Sequence, residues 1–130
     1  MISAMPPSAP DDVEMIEHPG YWEARYLGVY TAPHYKKQML LSVRECEKKG
    51  RRLLLVDIRG LAQFTPTTQE RYEFGKYGAE ISKNLERVSV IGTADQIDTE
   101  QFATMVARNR GLKVRAFTDP KAAVAWLRKG

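Results

Sequence analysis

The stretch Leu53-Leu54-Leu55-Val56-Asp57-Ile58-Arg59-Gly60 decides the fold class of this 130-residue chain. Its apolar residues occupy both sides of an extended backbone, which is typical of a strand covered by helices on both faces. Residues 52–59 are therefore predicted to form the central strand of a sheet. Gly60 begins the loop that follows this strand.

The segment before the central strand predicts a hairpin and an amphipathic helix. Residues 13–18 and 21–31 are rich in strand-forming side chains, and the turn dipeptide Pro19-Gly20 separates them. From residue 33 the apolar side chains recur every three or four positions, which indicates a helix that Gly50 ends. The apolar stripe of this helix consists of Tyr35, Met39, Val43 and Cys46.

A second helix is predicted after the loop that follows the central strand. Thr65 is the expected N-cap with Pro66 in the first helical position, and this helix ends near Leu85. Thr67 and Glu70 offer an alternative capping box.

Two further strand and helix units complete the chain. A strand at 87–92 leads to a helix that Asp98 or Thr99 caps, and a strand at 112–117 leads to a helix that starts at Asp119-Pro120. The apolar face expected for the first of these helices is Phe102, Met105 and Val106.

This order of elements predicts a single-domain α/β fold. An N-terminal hairpin followed by parallel strand and helix units gives a mixed sheet of about five strands with about four helices. Residues 13–130 are expected to form this domain. Residues 1–12 contain Pro6, Pro7 and Pro10 among small residues, and we expect them to be a flexible leader.

The sequence resembles a STAS domain, and it is most similar to the SpoIIAA-like branch, which is related to CRAL-TRIO lipid-binding domains. The resemblance rests on Val56-Asp57-Ile58-Arg59-Gly60 before a capped helix, with further matching segments at 87–92, 109–111 and 114–119. It implies a non-enzymatic regulatory or binding domain. Phosphorylated members carry an Asp-Ser pair at the start of the helix, whereas residues 61–68 contain no serine. Thr67 and Thr68 are the candidate phosphosites of an anti-sigma-factor-antagonist-like switch.

The charge of the chain raises the question of a polyanionic partner. Lys and Arg number 20 against 16 Asp and Glu, which gives a net charge of +4. The basic residues concentrate in 108–130 without the interleaved aromatic side chains that stack on bases, so nucleic acid is not favoured. Weak polyanion binding through this C-terminal basic face stays an alternative. The apolar runs, such as Leu53–Val56, are too short to span a membrane, and no secretory signal is recognised, so we expect a cytoplasmic protein.

Residues with catalytic or metal-binding chemistry are few. The single cysteine, Cys46, excludes an internal disulfide or a zinc site of several thiolates, and the two histidines form no metal-ligand motif. No metal and no cofactor are therefore expected. His34 and Cys46 lie about three turns apart on the predicted helix, too far for a thiol-imidazole hydrogen bond. Cys46, His34 and Asp57 are the only tempting catalytic set. Because two of its members cannot meet, we predict that the protein is not an enzyme.

The loop and helix after the central strand form the predicted functional site, because ligands of open α/β sheets usually bind at the carboxyl ends of strands. Gly78, like Gly75 beside it, is expected to permit close helix packing or to leave room for a ligand, with packing favoured. A small apolar or amphipathic, lipid-like ligand and a protein partner both suit this region. The oligomeric state is open, and a homodimer is compatible with the sequence. The other predicted binding residues are Asp57, Arg59, Gln63, Phe64, Tyr72 and Phe74.

Overall fold

The structure of the protein, a computed structural model, describes residues 12–129. The predicted leader therefore lies outside the described residues except for Asp12. The strands are β1 (Val13–His18), β2 (Tyr21–Tyr26), β3 (Gly28–Val29), β4 (Leu53–Asp57), β5 (Leu61–Ala62), β6 (Arg87–Ile91) and β7 (Val114–Phe117). The helices are α1 (Ala32–Lys48), α2 (Thr68–Ile81), α3 (Ala94–Asn109) and α4 (Pro120–Lys129).

The five long strands form one mixed sheet in the order β1-β2-β4-β6-β7. β1 and β2 pair antiparallel as the predicted hairpin, and the remaining neighbours pair parallel. In the register of the sheet, Val56 lies between Ala24 of β2 and Val90 of β6. The predicted fold class and the central position of the Leu53–Asp57 strand are both confirmed.

Helices cover both faces of this sheet, which is why the central strand is apolar on both sides. Leu54 and Val56 belong to the larger core cluster, to which α1, α2 and α3 contribute. Leu55 faces the opposite way and packs with Ala123 and Leu127 of α4. Successive side chains of β4 therefore point alternately into the two cores, as the two-residue period of a strand requires.

The second strand of the hairpin ends earlier than predicted. It stops at Tyr26 because Gly28 adopts a φ of +90°, a backbone conformation that breaks a regular strand. A side chain at this position would also meet the carboxylate of Asp12 at 2.6 Å. The chain then forms β3, which pairs in parallel with β5 in a separate two-stranded sheet.

Two predicted helix starts are wrong. Thr67, not Thr65, caps α2: its side chain accepts from the amide of Glu70, and the Glu70 side chain accepts from the amide of Thr67. This is the capping box that the sequence offered as the alternative. α2 also ends at Ile81, one turn before Leu85.

α3 starts at a Thr93 cap, several residues before the predicted Asp98 or Thr99. Thr93 and Gln96 form a capping box, which the sequence analysis overlooked, and the buried Gln96 amide also donates to the carbonyl oxygens of Ile58 and Leu61. The predicted apolar face of α3 is also wrong in part, since Met105 is exposed and Phe102 is only half-buried, whereas Val106 is buried. The buried residues of α3 are Gln96, Ile97, Glu100, Ala103, Thr104, Val106 and Ala107.

Candidate functional site

A cavity of about 70 Å³ lies between the sheet and the helices α1, α2 and α3. We call it the α2 cavity, because it lies beneath the helix that follows the central strand. Val56 and Val90 contribute to its sheet wall, and Phe74 and Ile81 contribute to its α2 wall. The walls are therefore largely apolar, as in most small-molecule sites.

The two glycines of α2 have different surroundings. A Cβ at Gly75 would lie 2.5 Å from the carbonyl oxygen of Ala103 and 2.7 Å from Cβ of Val106, so α2 and α3 approach closely there. A Cβ at Gly78 would meet only the flexible end of Met39, at 3.3 Å, and Gly78 borders the cavity. Gly75 is therefore needed for the close packing of α2 on α3. At Gly78 the missing side chain leaves space next to the cavity.

Glu100 is the one carboxylic acid among the described residues that line the cavity. Its side chain lies on the buried face of α3 and only 6% of the residue is exposed. Oε1 has no hydrogen-bond partner within residues 12–129. Burial raises the pKa of Glu100 to about 8, and the nearby Tyr35 hydroxyl limits the rise. The group is therefore mostly protonated at neutral pH.

Hydroxyl groups supply most of the remaining polar chemistry of the cavity. The Ser42 hydroxyl donates to the carbonyl oxygen of Met39 at 2.9 Å and lies 2.7 Å from the Tyr26 hydroxyl, which therefore donates to Ser42. The Thr104 hydroxyl donates to the carbonyl oxygen of Gln101 at 2.9 Å. Because a hydroxyl has a single proton, these three groups can still accept hydrogen bonds but have no proton left to donate.

An aromatic cluster supports the wall of the cavity that Tyr35 and Phe74 form. Their rings lie 4.8 Å apart, and Phe64 packs against Tyr35 at 5.4 Å and against Tyr30 at 5.2 Å. Of the predicted binding residues, Phe74 and Gly78 line the cavity, whereas Phe64 packs against the ring of Tyr35 and lies outside the lining.

The carboxyl end of β4 forms a separate polar turn. The Asp57 carboxylate accepts from the backbone amide of Arg59 at 3.0 Å and from its guanidinium at 3.0 and 2.8 Å. Burial raises the pKa of Asp57, but the hydrogen bonds and charge of Arg59 outweigh it, so the pKa lies below its ordinary value. Asp57 and Arg59, both predicted binding residues, are thus hydrogen-bonded to each other and lie outside the lining of the cavity.

The other predicted residues lie on the surface around α2. Gln63 is exposed in the loop, with a φ of +56°. Tyr72 is half-buried and accepts a hydrogen bond from the guanidinium of Arg110 at 2.9 Å. Thr67 and Thr68 are exposed at the start of α2. The structure does not bring these side chains into the α2 cavity.

The sequence reasoning missed the polar lining residues of the cavity. Tyr35 and Ser42 were hidden on the buried face of α1, and Glu100 and Thr104 on that of α3. One signal was available in the sequence: Glu100 follows Ile97 and precedes Ala103 and Thr104 at helical spacing. A charged residue within an otherwise apolar stripe indicates either a buried partner or a functional site.

Two surface hollows border the α2 cavity at the start of β7. A hollow of about 340 Å³ shares Ser82 and Leu112 with the cavity walls and includes Lys83, Arg110 and Lys113. A second hollow of about 440 Å³ is also rich in basic side chains. The C-terminal basic residues thus border the outer side of the cavity.

Cys46 and His34 do not form a catalytic pair. They lie twelve residues apart on α1, which corresponds to about 18 Å along the helix axis. Cys46 is fully buried in the core, where burial raises the pKa of its thiol to about 12. The structure therefore places Cys46 as a small core residue, in agreement with the sequence interpretation.

Comparison with known proteins identifies the fold. No protein-family model matches the sequence, and no curated protein matches it significantly. Among solved structures, the chain is similar to an uncharacterised protein of the DUF3478 family with a SpoIIAA-like fold from Shewanella loihica. The two are 22% identical, with a TM-score of 0.56 and coverage of 88% of this chain and 91% of the other.

The chain is also similar to an anti-sigma factor antagonist from Mycobacterium paratuberculosis, with 15% identity and a TM-score of 0.58. This likeness covers 93% of this chain and 98% of the other. The protein therefore has the SpoIIAA-like fold of STAS domains, as the sequence resemblance implied. In the part of the chain that the structure describes, no helix is both long and apolar enough to cross a membrane.

Proposed function

We propose that this protein is a cytoplasmic regulatory domain that binds a small amphipathic molecule in the α2 cavity and catalyses no reaction. The cavity carries the proposal, because protein interiors contain few voids larger than a water molecule. At about 30 Å³ per water molecule, its 70 Å³ has room for about two waters or a ligand of a few non-hydrogen atoms. A long acyl chain does not fit within this volume alone and would have to extend into the hollows beside Ser82 and Leu112, so we propose a ligand smaller than the lipid-like molecule that the sequence suggested.

The distribution of exposed apolar groups favours this ligand over a partner that docks on α2. The exposed large hydrophobic side chains among residues 12–129 are Val29 and Met105, and neither belongs to α2. The likeness to an anti-sigma factor antagonist supports a regulatory role. In such a role, occupancy of the cavity would change how the domain contacts another protein.

Xenon provides a direct test of the cavity, since apolar cavities bind it without needing a polar contact. We expect two-dimensional amide NMR spectra under xenon pressure to show shifts concentrated at α2, α3 and the facing strands. Gly78→Leu places a bulky side chain at the cavity border and should abolish these shifts. Lys76→Leu adds the same side chain to an exposed position of α2 and should preserve them.

The fold of each variant is checked first by its amide spectrum. If Gly78→Leu does not fold, Gly78→Ala replaces it and should reduce the shifts. The proposal is wrong if xenon produces no localised shifts in the wild-type protein, or if a folded Gly78→Leu retains them.

A phosphorylation switch at the start of α2 is a second candidate, and one contact favours Thr68 as its site. The guanidinium of Arg71 donates to the Thr68 hydroxyl at 3.2 Å, so a phosphate there would meet a positive charge and the helix N-terminus. The Thr67 hydroxyl already caps the helix. Thr68→Glu should therefore change binding to a protein partner, with Thr67→Glu destabilising the helix instead.

A further inference from the structure

One oxygen of Glu100, Oε1, has no hydrogen-bond partner among residues 12–129, while the Tyr35 hydroxyl interacts with the same carboxyl group. A buried carboxyl group whose oxygen makes no hydrogen bond loses the favourable interactions it has in water. The described residues that line the α2 cavity include no Lys, Arg or His. The titratable side chains that bear on Glu100 are Tyr26, Tyr30 and Tyr35, which are uncharged at neutral pH. When Glu100 is ionised, its counter-charge therefore has to come from a molecule bound in the cavity.

The hydroxyl groups around the cavity restrict the chemistry of that molecule. Tyr26, Ser42 and Thr104 have already donated their protons, so their free capacity is that of acceptors. An ionised Glu100 adds two acceptor oxygens to this set, and Tyr35 and Ser82 contribute two further hydroxyl groups to the lining. A carboxylate ligand would find no cation there and would face another acid. An ammonium group has three donors and no acceptor, and it matches this set.

We propose that the α2 cavity binds a short primary alkylammonium ion, whose ammonium group pairs with Glu100 while its alkyl part contacts the apolar walls. This inference rests on the proposed function, because it names the chemistry of the ligand. An ion that lies entirely within the cavity volume has about four non-hydrogen atoms, as in n-propylammonium. Since Glu100 is mostly protonated in the free protein, binding releases its proton to solvent.

Three probes test this inference: n-propylammonium, 1-propanol and propionate. Each has three carbon atoms, and their polar groups are a cation, a neutral hydroxyl and an anion. In amide NMR titrations at pH 7 and constant ionic strength, we expect n-propylammonium to bind at least tenfold more tightly than the other two. The shifted amides should belong to α3 and α2 near Glu100 and Gly78. Shifts confined to the outer hollow at Arg110 would overturn the inference.

Two variants separate the role of Glu100 from general electrostatics. Glu100→Gln keeps the shape of the side chain and removes its charge, and it should weaken n-propylammonium binding at least tenfold. Asp98→Asn removes a negative charge from an exposed position of the same helix and should change binding less than twofold. Equal effects of the two substitutions would contradict a direct contact with Glu100.

Calorimetry of the wild-type protein tests the inference without any variant. Because burial raises the pKa of Glu100 above 7, n-propylammonium binding at pH 7 should release a substantial part of one proton per ion bound. Titrations in phosphate and in Tris measure this release from their different ionisation enthalpies. No proton release would overturn the inference. If 1-propanol or xenon binds but n-propylammonium does not bind more tightly, the inference fails and the proposed cavity function stands.

Discussion

The two glycines of α2 allow one substitution to be tested in two environments of the same helix. Replacing glycine with alanine in a helix interior stabilises the helix by about 1 kcal/mol, since glycine loses more backbone entropy on folding. At Gly78 the new methyl group would lie 3.3 Å from the flexible end of Met39 and would partly fill the α2 cavity. We therefore expect Gly78→Ala to stabilise the protein by about 1 kcal/mol.

Gly75→Ala should have the opposite sign. Its Cβ would lie 2.5 Å from a backbone oxygen of α3, whereas an ordinary van der Waals contact begins at 3.4 Å, so the helices would have to separate by about 0.9 Å. Overpacking of this kind costs about 1 to 3 kcal/mol. After the gain in helix propensity of about 1 kcal/mol is subtracted, Gly75→Ala should destabilise the protein by up to about 2 kcal/mol.

Urea unfolding followed by far-ultraviolet circular dichroism measures the free energy of unfolding of both variants. The slopes of the curves also show whether unfolding stays two-state. Lys76→Ala is the control, since it lies between the two glycines at an exposed position and should shift stability by less than about 0.5 kcal/mol. The same sign for Gly75→Ala and Gly78→Ala would refute the reasoning. Two stabilised variants would mean that α2 and α3 do not approach closely, and two destabilised variants would mean that Gly78 has no free space beside it.

Three further predictions follow from single contacts. Because the Glu100 pKa of about 8 exceeds its ordinary 4.5, the folded state binds the extra proton between these values, and wild-type stability should fall with rising pH by up to about 1.4 kcal/mol per unit. Urea midpoints from pH 5 to 9 should show this fall in wild type and lose it in Glu100→Gln. Asp119→Ala removes an acceptor for the Lys121 amide and should cost about 1 kcal/mol in the same assay, and an unchanged midpoint would contradict this cap. Thr67→Ala should cost about 1 kcal/mol and Thr65→Ala far less, and a larger effect of Thr65→Ala would contradict the capping box at Thr67.

The element order and the class of sheet could be predicted from the sequence because they depend on local periodicity. The apolar run at Leu53–Val56 has no polar face, so it had to lie between two helical layers, and the structure confirms this. The helix start after Asp119 was predicted for a similar reason, since a cap acts on neighbouring amides. The start of α3 was a missed local signal, because Thr93 and Gln96 form a capping box over three residues, and the long-range contacts of the Gln96 amide with Ile58 and Leu61 only add to it.

The candidate site shows the same division. The sequence by itself determined that the helix after the central strand contains two glycines and a buried Phe74, and it pointed to that helix as the functional region. It could not show that Glu100, Tyr35 and Thr104 meet beneath this helix, because they come from α1 and α3 and share no local pattern with Gly78. Only the packing of three helices on the sheet decides which side chains border the cavity and which oxygens there lack a donor. Apolar periodicity is a property of each segment, whereas a cavity is a property of the space between segments.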